Sequence, residues 1–150
     1  MQVLETTISP QSDEFRANVE AMEAHISTFR DVEQKVLDLA ESAREKFTKR
    51  GKLLPRDRIN RLLDRGSEFL ELCSLAGYKM HDDKDGSMAG GGIIAGIGRV
   101  AGVRCLVVAS NSAIKGGTIT PAGLDKTLRL QQIAMENKLP VVSMSESGGA

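Results

Sequence analysis

Ile93-Ile94-Ala95-Gly96-Ile97-Gly98-Arg99-Val100-Ala101-Gly102-Val103-Arg104-Cys105-Leu106-Val107-Val108-Ala109 decides the fold. Two apolar runs flank the dipeptide Ala101-Gly102, the pattern of a β-hairpin closed by a two-residue turn. The second run, Val103 to Ala109, is nearly continuous in apolar character, as expected of a strand covered on both faces. Downstream, Thr120-Pro121 opens a helix that runs to about Asn137, with Leu124, Leu128, Leu130, Ile133 and Ala134 as its expected buried side. Leu139-Pro140-Val141-Val142 then begins another buried strand. Strand, helix and strand in that order predict a layered α/β core.

Upstream of the hairpin, His81 to Gly92 has no periodicity and reads as an exposed loop. Phe69 to Leu72 is a short strand, and Asp64-Arg65-Gly66-Ser67 is a turn. Leu54-Pro55 starts a short helix with Ile59, Leu62 and Leu63 on its buried side, while Arg56, Arg58 and Arg61 project elsewhere. A long helix begins at the N-cap pair Ser12-Asp13 and ends at Gly51. Its apolar positions Phe15, Val19, Met22, Ile26, Phe29, Val36, Ala40, Ala43 and Phe47 step by fours and threes, broken at Glu33. So narrow a seam packs either on the helix's own domain or on a partner subunit. The expected organisation is a flexible tail over 1–11, a helical segment over 12–66 and a core domain from 67 to 150.

The chain has 150 residues, 41% hydrophobic and 27% charged, with 20 basic and 20 acidic side chains. Balanced charge gives no reason to expect nucleic acid, and Tyr78 with four Phe makes no stacking platform. No run approaches the ~18 apolar residues of a membrane span, and Met1-Gln2-Val3-Leu4-Glu5 lacks a signal peptide's basic region. The default location is a reduced cytoplasm, with Cys73 and Cys105 as core packing.

Two Gly-Gly turns follow apolar runs: Lys115-Gly116-Gly117-Thr118 and Ser147-Gly148-Gly149-Ala150. Paired glycines let a backbone approach a ligand and aim N–H groups at a phosphate or an oxyanion. A solvated tight turn explains the first equally well. Ser147 lacks the G-x-S-x-G context of a nucleophile, and neither His25 nor His81 lies near it. Glu146 reads as a base or, more simply, as an anchor for the turn that follows. His81-Asp82-Asp83-Lys84-Asp85 lacks regular ligand spacing, so no metal is expected. The three arginines of the short helix either clamp phosphates or form its solvated face.

Arg50 to Ile59, Leu62 to Ser67, Gly96 to Gly102, Lys115 to Thr118, Gln132 to Pro140 and Ser147 to Ala150 occur in an order that resembles the carboxyltransferase (β) subunits of biotin-dependent acyl-CoA carboxylases. That group includes the propionyl-, methylcrotonyl- and geranyl-CoA enzymes. The resemblance implies a crotonase-like spiral of ββα units, incomplete here and preceded by the long helix. It implies an acyl-CoA substrate, biotin carried on a partner biotin carboxylase or carrier subunit, and a homo-oligomer in the cytoplasm or the mitochondrial matrix. CO2 would pass from carboxybiotin to the α or γ carbon of the thioester through an enolate. Carried over residue by residue, Gly148 and Gly149 are catalytic backbone, and Arg56, Lys115, Gly116, Gly117 and Thr118 contact CoA. The family commonly has Asp at the positions of Asn111 and Glu146 and two Tyr at Ile119-Thr120, which leaves the acyl group open. Its subunits continue into a second, homologous half, so the expectation is of a partial chain without turnover of its own. A decarboxylase subunit or a noncatalytic assembly segment are the alternative readings.

Overall fold

The computed structural model describes residues 6–81 and 83–146. Its elements are α1 (Asp13–Ser42), α2 (Arg44–Lys49), α3 (Pro55–Leu62), β1 (Leu70–Glu71), β2 (Ile93–Val100), β3 (Val103–Ser110), a 3-10 turn over Lys115–Gly117, α4 (Pro121–Glu136) and β4 (Val141–Met144). The chain divides into two units, residues 1–35 and 36–150.

The first unit is mostly α1. Ser12 caps it: its Oγ accepts from the Phe15 amide at 3.2 Å, satisfying one of the helix's orphan donors. No residue of α1 is buried, and Val19, Met22, Ile26 and Phe29 are exposed. The long helix expected to reach Gly51 breaks at Ala43, whose amide turns to Ala40 O while Ser42 Oγ donates to Leu39 O. Such back-bonding by Ser competes with the helical ladder and bends it.

In the second unit a four-stranded sheet runs in the order β1-β2-β3-β4. β2 and β3 pair antiparallel from Ile93↔Ser110 to Val100↔Val103. Their turn places Ala101 at φ 50° and Gly102 at φ 79°, the two left-handed conformations that match strand twist. Asp64 holds it, accepting from the Ala101 amide at 2.8 Å and the Gly102 amide at 2.7 Å. β4 pairs parallel to β3, from Leu106↔Val141 to Ala109↔Met144. The crossover is α4, so β2, β3 and α4 make one ββα unit and β4 follows it.

Period-two alternation sends side chains to both sheet faces. Ile94, Val107 and Ala109 meet Ile59 of α3 with Leu62, Leu63 and Phe69 around them. Ala95 and Leu106 meet Leu130 and Ala134 of α4. The sheet is thus sandwiched between α3 and α4, which accounts for the buried middle of β3.

Four expectations are corrected. α4 buries Gly123, Lys126, Leu130 and Ala134, whereas Leu124 is 51% and Leu128 55% exposed. Thr120 Oγ1 caps the Gly123 amide at 3.0 Å, and the Gly91 backbone packs on Gly123, which together fix the helix's rotation. β4 is an edge strand among the described residues, with Val141 exposed. The 81–92 segment is not an exposed loop: Asp83 and Gly90 to Gly92 are buried. There Asp83 accepts from the Lys79 amide at 3.0 Å and the Met88 amide at 2.9 Å. Cys105 is core, but Cys73 sits exposed at a turn with φ 53°.

Candidate functional site

Parallel pairing of β3 and β4 brings their C-terminal ends side by side, where open α/β sheets gather ligand-binding loops. Asn111, buried, begins the loop after β3. Its amide donates to Gly92 O at 2.8 Å and its Oδ1 accepts from the Ala113 amide at 3.3 Å, starting a tight turn.

That turn delivers Lys115, Gly116 and Gly117 with φ of 42°, 66° and 82°. Three left-handed residues in succession explain the glycines, since a side chain is disfavoured there. The Gly117 amide donates to Ile114 O at 2.9 Å and the Thr118 amide to Lys115 O at 3.2 Å. Two of the donors read as ligand-facing therefore close the turn itself. Gly116 is exposed, and a Cβ there would meet nothing within 4 Å.

Lys115 and Gly116 line a cleft of about 490 Å³ together with Lys46, Arg50, Lys52, Ser112 and Glu146. Four cations face one carboxylate, a field suited to an anion carrying several charges. Sharing Ala43, Ala113 and Lys115 with it is a second cleft of about 300 Å³, lined by Val36, Leu39, Ala40, Met88 and Ile114.

Lys52 pairs with Glu146. Ser112 Oγ donates to Glu146 Oε2 at 2.8 Å, and Arg58 Nη2 stands 3.5 Å from the same oxygen. The Lys52 ammonium, then the Ser112 hydroxyl, hold the Glu146 carboxyl below the ordinary carboxylate range. A carboxylate so stabilised is a poor proton acceptor, which disfavours Glu146 as a base and supports its reading as an anchor.

The arginines of α3 divide. Arg56 forms a bidentate pair with Glu71 at 2.6 and 2.9 Å and lines neither cleft. Arg58 donates to Ser110 O at 3.0 Å. Arg61 alone is exposed. Gly148 and Gly149 lie outside the described residues. Sequence reading missed Lys46, Arg50 and Lys52, although the density of cations from Lys46 to Lys52 was visible. It also missed Lys126, buried in α4, whose Nζ donates to Ile93 O at 2.7 Å and Gly90 O at 3.3 Å. Burial lowers that lysine's pKa to about 8.

The ββα unit is that of the crotonase-like carboxyltransferases, and the chain belongs to the carboxyl transferase domain family, whose model matches residues 46–150. Among solved structures it is similar to the β subunit of Pseudomonas aeruginosa geranyl-CoA carboxylase (TM-score 0.86, 64% identity), covering 99% of this chain and 28% of that one. The probable methylcrotonoyl-CoA carboxylase β chain of Drosophila melanogaster, a mitochondrial protein, is 44% identical over 99% of this chain and 25% of its own length. The biotin-dependent 3-methylcrotonyl-coenzyme A carboxylase β1 subunit of Mycobacterium tuberculosis is 50% identical over 73% of this chain and 20% of its own length. The chain spans about a quarter of the length of these relatives.

Proposed function

We propose that the chain is the acyl-CoA-binding part of a carboxyltransferase that places CO2 on the α or γ carbon of an acyl-CoA. The observation that carries this reading is the cleft where Lys46, Arg50, Lys52 and Lys115 converge at the carboxyl ends of β3 and β4. The diphosphate and 3′-phosphate of CoA match four cations, and the adjoining apolar cleft suits an uncharged part of the same ligand. Lys115 and Gly116 form one wall of this site, and Gly117 and Thr118 close the turn that holds them there. Arg56 reaches a ligand only by exchanging its partner Glu71; as it stands, it ties α3 to β1.

Gly148 and Gly149 present backbone amides to the thioester oxygen as negative charge develops on it. Amides already oriented for that charge lower the barrier without a side-chain nucleophile. Biotin, where a partner subunit carries it, supplies activated CO2. Identities of 64% to a geranyl-CoA carboxylase and 50% to a methylcrotonyl-CoA carboxylase, against 35% to a propionyl-CoA carboxylase β chain from Cereibacter sphaeroides, favour branched unsaturated acyl groups. The exposed apolar seam of α1 supports a homo-oligomer, in the cytoplasm or, in a eukaryote, the mitochondrial matrix.

Calorimetric titration of the holoenzyme with geranyl-, methylcrotonyl- and propionyl-CoA tests the reading. Wild type should bind all three, and R50E should weaken each by a similar factor of about tenfold, since the phosphates are common to them. No binding by wild type, or undiminished affinity in R50E, would overturn it.

A further inference from the structure

Val19, Met22, Ile26 and Phe29 form an exposed apolar stripe along α1, extended by the half-exposed Phe15. Their steps of four and three residues make it a coiled-coil seam. Past Phe29 the seam meets Glu33, then Val36 and Ala40, which belong to the second unit and are half-buried. The stretch open to a partner is therefore Phe15 to Phe29.

Charges beside the stripe decide what covers it. At 100° per residue, Arg16, Glu23 and Arg30 flank it on one side, Asn18 and His25 on the other. We propose that α1 of a second copy of this chain lies antiparallel on the stripe, with Val19 against the partner's Met22 and Phe15 against the partner's Ile26. This register sets Arg16 beside the partner's Glu23 and Asn18 beside the partner's His25, each twice by symmetry. Glu33 then lies beyond the overlap. Arg16 is free to turn, because its pair with Asp13 at 3.0 Å is an open surface contact worth little.

Other arrangements meet a penalty. Val19 against Phe29 would set Arg16 on the partner's Arg30 and Glu23 on the partner's Glu23. Ile26 against Phe29 would restore a Glu23–Arg30 pair but press the Glu33 carboxylate onto the partner's Met22, desolvating it. A parallel pair would stack Glu33 on Glu33. The proposal supplies the contact for the homo-oligomer reading above, on which it rests.

The test is disulfide trapping in the full-length holoenzyme, in a C73S background because Cys73 is exposed. Coexpressed V19C and M22C chains of different tag length should cross-link under mild oxidation. Coexpressed I26C and F29C chains, adjacent only in the disfavoured register, should yield at least about fivefold less. R16E or E23R in every chain should cut the V19C–M22C yield about fivefold, R16E/E23R should restore it to within about twofold, and R30E should leave it unchanged. Acyl-CoA affinity by calorimetry should stay within about twofold in all of them, showing that the variants are folded. The proposal fails if V19C and M22C do not cross-link, if I26C and F29C match them, or if R16E/E23R gives no rescue. Absence of acyl-CoA binding in wild type removes the functional reading and leaves a trapped α1 pair standing.

Discussion

Gly91 and Gly123 touch backbone to backbone: a Cβ on Gly91 would stand 2.8 Å from the Gly123 nitrogen, and one on Gly123 would overlap Gly91 O. The contact seats the start of α4 on the loop that leads into β2. Neither backbone can retreat easily, because Thr120 Oγ1 caps the Gly123 amide and also donates to Gly91 O at 3.3 Å. G123A should therefore destabilise the protein by about 2–4 kcal/mol, read as a lowered denaturant midpoint. A change under about 0.5 kcal/mol would show that the helix slides away freely.

Gly116 makes the opposite case. Its φ of 66° requires left-handed backbone, yet nothing crowds its Cβ position. G116A should cost only about 1 kcal/mol, and G116N less, because Asn tolerates this conformation better. Equal losses in G116A and G123A by chemical denaturation would contradict the distinction.

Ile59 and Leu130 are 1% and 2% exposed, one on each face of the sheet. Removing either side chain should cost about 2–5 kcal/mol. They belong to different clusters, so the double variant I59A/L130A should lose nearly the sum of the two. Strong non-additivity in the unfolding free energies would mean the two faces form one coupled core.

Lys126 gives stability a pH dependence. Its pKa is lowered by burial from 10.5 to about 8, so the charged form is penalised in the folded protein and not in the unfolded chain. The penalty is fully present below pH 8. It fades as pH rises from 8 towards 10.5, where the folded protein releases the proton first, so stability should climb across that window. K126M should remove this part of the pH dependence in a series of denaturation curves. It should also cost about 1–3 kcal/mol at pH 7 by stranding the carbonyls of Gly90 and Ile93.

Ionic strength should separate the two clefts. Raising salt from 0.05 to 0.5 M should weaken acyl-CoA binding by about an order of magnitude, as screening shortens the reach of Lys46, Arg50 and Lys115. L39A, in the apolar cleft, should weaken binding about equally at both salt concentrations. Salt-independent affinity in the wild type, measured by calorimetry, would remove the cationic cleft from the site.

What could be read in advance was set by neighbours in sequence. Ala101-Gly102 announced its hairpin because two apolar runs flank a Gly-containing dipeptide, and Lys115-Gly116-Gly117 announced a tight turn because paired glycines follow an apolar run. The face buried by α4 was not legible: periodicity favoured Leu124 and Leu128, but a glycine contact 32 residues away turned the helix so that Lys126 faced inward. Lys126 is tolerated there because the distant carbonyls of Gly90 and Ile93 accept its hydrogen bonds. Arg58 looked like part of a solvated face, and only the fold shows that it reaches Ser110 and Glu146. The Lys52–Glu146 pair spans 94 residues, a separation at which composition and spacing carry no signal.

The parallel ladder between β3 and β4 acts as a ruler. Sliding β4 by a single residue would carry Glu146 about 3.3 Å along the sheet and point it through the opposite face, out of reach of Ser112. Misalignment would thus remove the one carboxylate from the cationic cleft. Any folding error that leaves β4 one step out of phase should yield a chain with normal secondary structure in which Glu146 no longer meets Lys52, Arg58 and Ser112.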